Sequence, residues 1–322
     1  MSSVTTAAPE ASPLYRPATP TTMAGRVRRR LTSRAASVVA ILIAAFWTVP
    51  TFGLFVSSFR PEGQIKTTGW WTFFSDPQLT LDNYNDVLFG TSSFSGQLAS
   101  YFVNSLVITV PAVVFSVSIA AMGAYALSWL DFKGRDWVFI GVFALQIVPI
   151  QMALIPLLRL FSTGFSLGGV QLVPALPTDS TATAYLQVWI AHTCFGLPLG
   201  IFLLHNFMAE LPRDLFEAAR VDGAGAAMIF RRIVLPLITP ALASLTIFQF
   251  LWIWNDLLVA LTFTQSDNAP LTVRLAQLAG TRGNEWQRLT SGAFVSMILP
   301  LVVFLSLQRY FVRGLLAGGV KG

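Results

Sequence analysis

The sequence predicts an all-α polytopic membrane protein, on three observations. Of 322 residues, 54% are hydrophobic and only 11% are charged, with a mean hydropathy of +0.64. A soluble domain carries about 25% charged residues, and one of this size could not hide so much apolar surface. Six stretches, 37–59, 102–129, 137–161, 185–207, 240–264 and 291–312, are each long and apolar enough for a transmembrane helix, which needs about 20 residues. The short alternating segments of an outer-membrane barrel are absent, so helices are the spanning structure. The composition also excludes intrinsic disorder of the chain's body, and a lone cysteine, Cys194, excludes a disulfide scaffold.

Residues 1–36 read as a disordered, basic cytoplasmic tail, rich in Ser, Thr, Ala and Pro and ending in Arg26, Arg28, Arg29, Arg30 and Arg34. Met23 is a second candidate start, since little before it has structural character. A basic run before an apolar one also opens a signal peptide, but the apolar run is too long and no small-residue cleavage site follows, so it reads as a retained anchor. With the amino terminus inside, the inner segments hold 15 of the 21 Lys and Arg. Besides the tail these are Lys133, Arg135, Arg213, Arg220, Arg231, Arg232, Arg309, Arg313 and Lys321. The outer segments hold Arg60, Lys66, Arg159, Arg274, Arg282 and Arg288. This bias predicts a multi-pass chain of the plasma membrane with both termini cytoplasmic. In the first outer loop, about 60–101, Trp70, Trp71, Phe73 and Phe74 suit either an interfacial helix or the lining of a core.

The connection between the fourth and fifth spans, 208–239, is far longer than the roughly four to six residues of an ordinary loop, and must carry structure of its own. Pro212 suits a helix start, and Asp214 with Glu217 three residues later fits a capping box. Leu215, Phe216, Ala219 and Val221 make that helix amphipathic, and Gly223 and Gly225 allow a sharp turn. A second helix, about 226–234, runs up to Pro236, which breaks it. Ala218, Ala219, Ala224, Ala226 and Ala227 are small enough for another surface to approach closely, and Glu217, Arg220 and Asp222 supply charges to fix its register. The composition fits a docking knob or an amphipathic hairpin lying on the bilayer.

Glu217-Ala218-Ala219, then Gly223, then nine residues and Ile233-Val234-Leu235-Pro236 resembles the EAA signature of ABC importer permeases in every spacing. The carboxy-terminal run from Gln308, Asn104-Ser105-Leu106, Trp254-Asn255-Asp256 and Asn83-Tyr84 resemble the second, maltose-permease-like subunit of the carbohydrate importers. Gly69-Trp70-Trp71 is similar to the α-glucoside branch. The resemblance covers about 37–322. It implies a type I ABC importer permease fold with a six-span domain at 37–312 and a cytoplasmic tail at 313–322. It implies a permease subunit that forms half of the pathway for an oligosaccharide or glycoside. Its partners would be a second homologous permease, two ATP-binding subunits, an extracellular solute-binding protein and the surrounding lipid, with no nucleic acid. It assigns ATPase coupling to Glu217, Ala218, Ala219, Arg220, Asp222, Gly223, Leu235 and Pro236, and a contact in the ATPase dimer to Gly318, Gly319 and Lys321 of the tail.

The chain has no Gly-x-x-x-x-Gly-Lys-Ser/Thr, so ATP is expected on partner subunits and the chain itself is expected to be neither an enzyme nor a cofactor carrier. His192 and His205 have no spaced metal partner, so no metal site is assigned. His192 reads as a packed interface histidine or a proton relay. Asp256, beside Asn255, is placed well inside the fifth span. An Asp at a helix centre costs roughly 2.5–3.5 kcal/mol to insert, so it should face protein or water, as a pathway or gate residue or as an interhelical hydrogen bond. Asn104, Gln146, Gln151, Gln187, Asn206 and Gln249 are polar residues of the spans suited to line a sugar path. The resemblance places substrate contacts mainly on the partner permease, so no sugar site is assigned to this chain.

Two other readings stay open. A secondary transporter would need coupling carboxylates near the midplane, where only Asp256 offers one, and it leaves the EAA segment unexplained. A permease of the same architecture could serve a polyol, glycerol phosphate, phosphate or a polyamine.

Overall fold

A computed structural model describes residues 34–90, 98–177, 179–279 and 285–319. Residues 1–33 of the predicted tail, and Lys321, lie outside them. The chain divides into two units, 1–54 and 55–322. The first is represented by most of helix α1 (Arg34–Ser58), where Phe46 and Trp47 are about three-quarters exposed, an apolar surface suited to lipid or a partner helix.

The second unit begins within the last turn of α1. Asn83, on α3 (Asp82–Phe89), which follows the short α2 (Glu62–Thr67), donates through Nδ2 to the carbonyls of Ser58 and Arg60 at 3.0 and 2.8 Å. The Tyr84 hydroxyl meets Ser58 Oγ at 2.7 Å. Burial pushes the Tyr84 phenol up, and the Ser58 bond pulls the other way. The preceding aromatic run is a single 3-10 turn, Trp70–Phe74, with no buried residue. Trp71 and Phe74 stand out at 64% and 70% exposure, which fits an interfacial element rather than a core lining.

Among the described residues, four helices are each long and apolar enough to cross a membrane: α1, α4 (Leu98–Trp129), α7 (Thr181–Ala209) and α14 (Trp286–Gly319). Two bent helix pairs bring the total to six if each counts as one span. The predicted third span is one of these pairs and not a continuous helix. It consists of α5 (Arg135–Ala144) with a 3-10 turn, and α6 (Ile150–Thr163), bent by 105°. Val148 stands before Pro149 and is extended (φ −72°, ψ 119°) because the proline ring disfavours helix in the residue before it.

The predicted fifth span is also interrupted. Helix α11 (Thr239–Trp254) stops at Asn255, and α12 (Leu258–Phe263) follows. Asp256 therefore sits in a helix break and not at a helix centre. After α6 the chain makes a small antiparallel hairpin, β1 (Phe165–Leu167) and β2 (Val170–Val173), turned at Gly168 and Gly169 with φ of +59° and +83°. The all-α expectation missed it, although Gly-Gly between two short runs is a hairpin signal. The last helix continues past 312 to Gly319, so the predicted tail begins as helix.

The core is organised around α4 and α7, which pack along their lengths. At the seam Gly196 and Gly200 of α7 face Ser116 and Ala120 of α4. A Cβ on Gly196 would lie 2.8 Å from Ser116 Oγ, and one on Gly200 would lie 3.0 Å from Ala120 Cβ. Small residues four apart let two apolar helices approach closely, and van der Waals contact does the work that burial does in water. Trp189 Nε1 donates to the Val107 carbonyl at 2.9 Å across the same pair. One core cluster lies around Ile108, Val188, Phe250 and Trp254, and a second around Ala120, Ala124, Leu204 and Leu245.

Replacing Gly200 with Leu should force this seam open and cost about 1–3 kcal/mol, as overpacking does. Gly200→Ala should cost much less. The thermal unfolding midpoint of the detergent-solubilised protein should fall in that order, and equal midpoints for the two variants would refute the seam.

Candidate functional site

Helix α8 (Arg213–Val221) begins at Pro212, the N-cap (φ −61°, ψ 129°). The predicted capping box does not form, and no side chain caps this end. Proline has neither a side-chain acceptor nor the backbone N–H to which a box glutamate reaches back. Asp214 in the first turn and Arg220 in the last still match the helix dipole.

The helix has two faces. Phe216 and Ala219 are buried, at 1% and 8% exposure. Glu217, Ala218 and Arg220 are exposed, and so is Val221, at 88%. The helix ends in a Schellman turn. The Gly223 N–H donates to the Arg220 carbonyl at 3.0 Å, and the Ala224 N–H to that of Ala219 at 2.9 Å. Gly223 takes φ +81°, the left-handed conformation the turn requires, with nothing within 4 Å of where a Cβ would be. Gly225 has an ordinary φ of −73°, so only one of the two glycines uses its freedom.

The return limb is α9 (Ala226–Ile229), a π-turn over Phe230–Val234, and α10 (Leu235–Leu237). The break falls at Ile238, not at Pro236, and the next helix bends away by 77°. Pro236 sits at the start of α10, where a missing N–H costs little. Leu235 is half-buried and Pro236 exposed, while Val234 and Ile238 join the second core cluster.

Two residues that the sequence reading missed hold this hairpin. Trp129, the last residue of α4, stacks on Phe216 with ring centres 3.6 Å apart, and its Nε1 donates to the Met208 carbonyl at 3.0 Å. Tyr125, one turn earlier, donates from its hydroxyl to the Ala226 carbonyl at 3.1 Å and packs on Phe230 at 5.0 Å. Both limbs are thereby fastened to α4. The available signal was two aromatics four apart at the end of a span. A cleft of about 420 Å³ lies beside α8, lined by Asp131, Arg135, His205, Glu217 and Arg220 among others. His205 stacks on Phe139 at 4.2 Å.

Asn255 and Asp256 are elsewhere. The His192 ring on α7, 1% exposed, places Nε2 3.4 Å from Asp256 Oδ2. From His192 to Met208, where the hairpin is anchored, is about 24 Å along the helix at 1.5 Å per residue. Asp256 Oδ2 accepts from the Ala260 N–H at 3.0 Å, satisfying a donor freed by the break, and Thr272 Oγ1 donates to the Asp256 carbonyl at 2.6 Å. Asn255 is exposed and bonds back to the Leu251 carbonyl at 2.7 Å. Asp256 thus holds an interhelical joint. Asn104 likewise joins separate elements. Its Nδ2 donates to the carbonyls of Asp267 and Ala269, both at 3.1 Å, and its Oδ1 accepts from Tyr185 at 2.8 Å. Gln187 is spent on the Leu176 carbonyl. Gly318 and Gly319 end α14.

Residues 87–316 match the family described as the binding-protein-dependent transport system inner membrane component. The chain is 51% identical over 290 residues to an osmoprotective compounds uptake permease of Synechocystis sp., covering 88% of this chain and 91% of the relative. It is 49% identical over 279 residues to an alpha-glucoside transport system permease of Rhizobium meliloti, covering 85% and 70%. Its fold is similar to a crystal structure of a bacterial ABC transporter that imports the acidic polysaccharide alginate, with TM-score 0.65 at 20% identity over 93% of this chain and 100% of that one. The chain belongs to this family of inner-membrane transport components, and it is a multi-pass membrane protein.

The empty space at Gly223 makes a test of backbone conformation alone. A left-handed residue with a Cβ costs roughly 1–2 kcal/mol, least for Asn and most for β-branched residues. Trypsin cleavage after Arg220 in the purified chain should therefore speed up in the order Gly223→Asn, Gly223→Ala, Gly223→Val, by about tenfold for Ala. Equal rates for Asn and Val would show that conformation does not hold the turn.

Proposed function

We propose that this inner-membrane component is one of two permease chains of an ATP-driven importer for a neutral oligosaccharide or glycoside, with α-glucosides the favoured class. The observation that carries the coupling role is the construction of the hairpin. Its inner face is part of the core, and its outer face, Glu217, Ala218, Arg220 and Val221, is bare. A hairpin resting on lipid would turn its apolar residues to the bilayer. This one turns Phe216, Ala219, Ile229 and Val234 into its own protein, and its outward face mixes Glu217, Ala218 and Arg220 with exposed Leu215, Val221 and Met228.

The outward face docks on a separate ATPase. The chain has no phosphate-binding loop, which supports ATP binding on the partner subunits. A solute-binding protein on the other side delivers the solute, a role in keeping with the family description. Both termini are cytoplasmic, as the Lys and Arg bias requires, with the hairpin on the same side. ATPase closure displaces the hairpin as a rigid body, and Tyr125 and Trp129 carry that displacement into α4. Coupling is then the difference in ATPase affinity between two states of the permease. The sugar class is supported by the alpha-glucoside relative. A secondary transporter would need an unengaged carboxylate in the spans, and Asp256 accepts from the Ala260 N–H.

The test is made in cells carrying the tagged chain with its partner subunits. Wild type should take up radiolabelled maltose or sucrose and co-purify the ATPase. Gly223→Pro should abolish both while the chain still inserts. Glu217→Ala should weaken ATPase association by about 5–30-fold, corresponding to a charge-assisted contact of 1–2 kcal/mol. Full association and uptake in Gly223→Pro would overturn the docking role.

A further inference from the structure

The bend in the third span, between α5 and α6, opens a cavity of about 580 Å³, within the size range of small-molecule sites. It is lined by Gln146, Gln151, Cys194, Gly196, Gln249 and Trp252, with further apolar side chains and no charged one. Three carboxamides from three separate helical segments line it, 103 residues apart at the extremes in sequence. Gln249 is only 2% exposed. Its Nε2 donates to the Gly196 carbonyl at 3.1 Å, while its Oε1 is buried with no partner. Ser116 Oγ is equally unpartnered, and both oxygens lie within 2.8 Å of where a Cβ on Gly196 would be. A buried acceptor and a buried hydroxyl without partners are uncommon in a finished core, and mark a place where hydrogen-bonding capacity is held in reserve.

We propose that this cavity is a saccharide-contact site on this chain. Carboxamides both donate and accept, which matches the hydroxyls of a sugar ring. Trp252 offers an apolar ring for a pyranose face. The absence of charge from the lining disfavours phosphate esters and polyamines. Gly196 is the residue that admits the Gln249 carboxamide to the wall, since any side chain there would meet it. The site is separate from the hairpin and from the His192–Asp256 joint, although Trp252 packs edge-on against His192 at 5.7 Å.

This inference rests on the sugar-import reading, and the experiment separates the two. The complete transporter is reconstituted in proteoliposomes with its ATPase and binding protein, and assayed with radiolabelled maltose, sucrose and glycine betaine. Cys194, the chain's single cysteine and itself exposed, is the reporter. Its alkylation by N-ethylmaleimide, read by mass on this chain's peptide, should slow at least fivefold during turnover with the transported sugar. Gln151→Leu and Gln249→Leu should each lower sugar moved per ATP hydrolysed by about tenfold. ATPase stimulation by the loaded binding protein should stay unchanged, which a misassembled variant would not allow. Alkylation equally fast with and without sugar, in a wild type that does import it, would overturn the cavity and leave the import reading intact. Import of glycine betaine with neither sugar would overturn both.

Discussion

The close approach of α4 and α7 is the constraint on which the remaining structure depends. Helices in lipid gain little from burying apolar surface against one another, so a tight seam must come from shape. Gly196, Gly200, Ser116 and Ala120 supply that shape. One result is a rigid pair that contributes to both core clusters, one near Ile108 and Val188 and the other near Ala124 and Leu204. The other is that a displacement applied at one end of the pair has no soft layer in which to dissipate, because packed interfaces shift between discrete arrangements and do not deform continuously.

The hairpin exploits that rigidity. Its two limbs differ in sequence and local geometry, yet each is tied to the same last turn of α4, one through Phe216 on Trp129 and the other through Ala226 and Phe230 on Tyr125. Deleting either large aromatic from such a contact would cost several kcal/mol in a packed core. The Schellman turn at Gly223 closes the limbs against each other. A knob with two separate anchors and a hydrogen-bonded tip transmits force in a way that a loop of the same length could not. The 88% exposure of Val221 at that tip is an apolar surface left for a partner.

The apolar stretches and the place of the hairpin were legible, because both are written in local pattern: apolar runs of fixed length, and a spacing from Glu217 to Pro236 that resembles a known signature. What was not legible arises from tertiary structure or from competition between signals. The Val148-Pro149 break carries a clear local sign, but the hydrophobicity of the surrounding residues reads as one helix. Asp256 looked like a charge stranded in a helix, because nothing in the run Trp254-Asn255-Asp256 shows that its own side chain would cap the helix that follows. Tyr125 and Trp129 are ordinary aromatics at a span end until Phe216, 87 residues later, arrives beneath one of them. Gly196-x-x-x-Gly200 was readable as a packing motif and was passed over among the apolar residues around it.

The division of labour between spans follows from where backbone hydrogen bonding is continuous. The second and fourth spans are single helices with their small faces pressed together, and they carry the hairpin. The third and fifth are broken, at Val148-Pro149 and at Asn255–Leu257, and each break has its freed groups satisfied by a side chain or by a turn rather than by the next helical residue. Such a break can change angle without losing a full ladder of bonds, whereas α4 and α7 cannot. The cavity lies where one of the broken spans, through Gln146 and Gln151, meets the rigid seam at Gly196, with Gln249 and Trp252 closing it from α11. A rigid lever therefore ends beside the two elements best able to bend, which is the arrangement that lets movement at the hairpin alter a space some 24 Å or less away along α7.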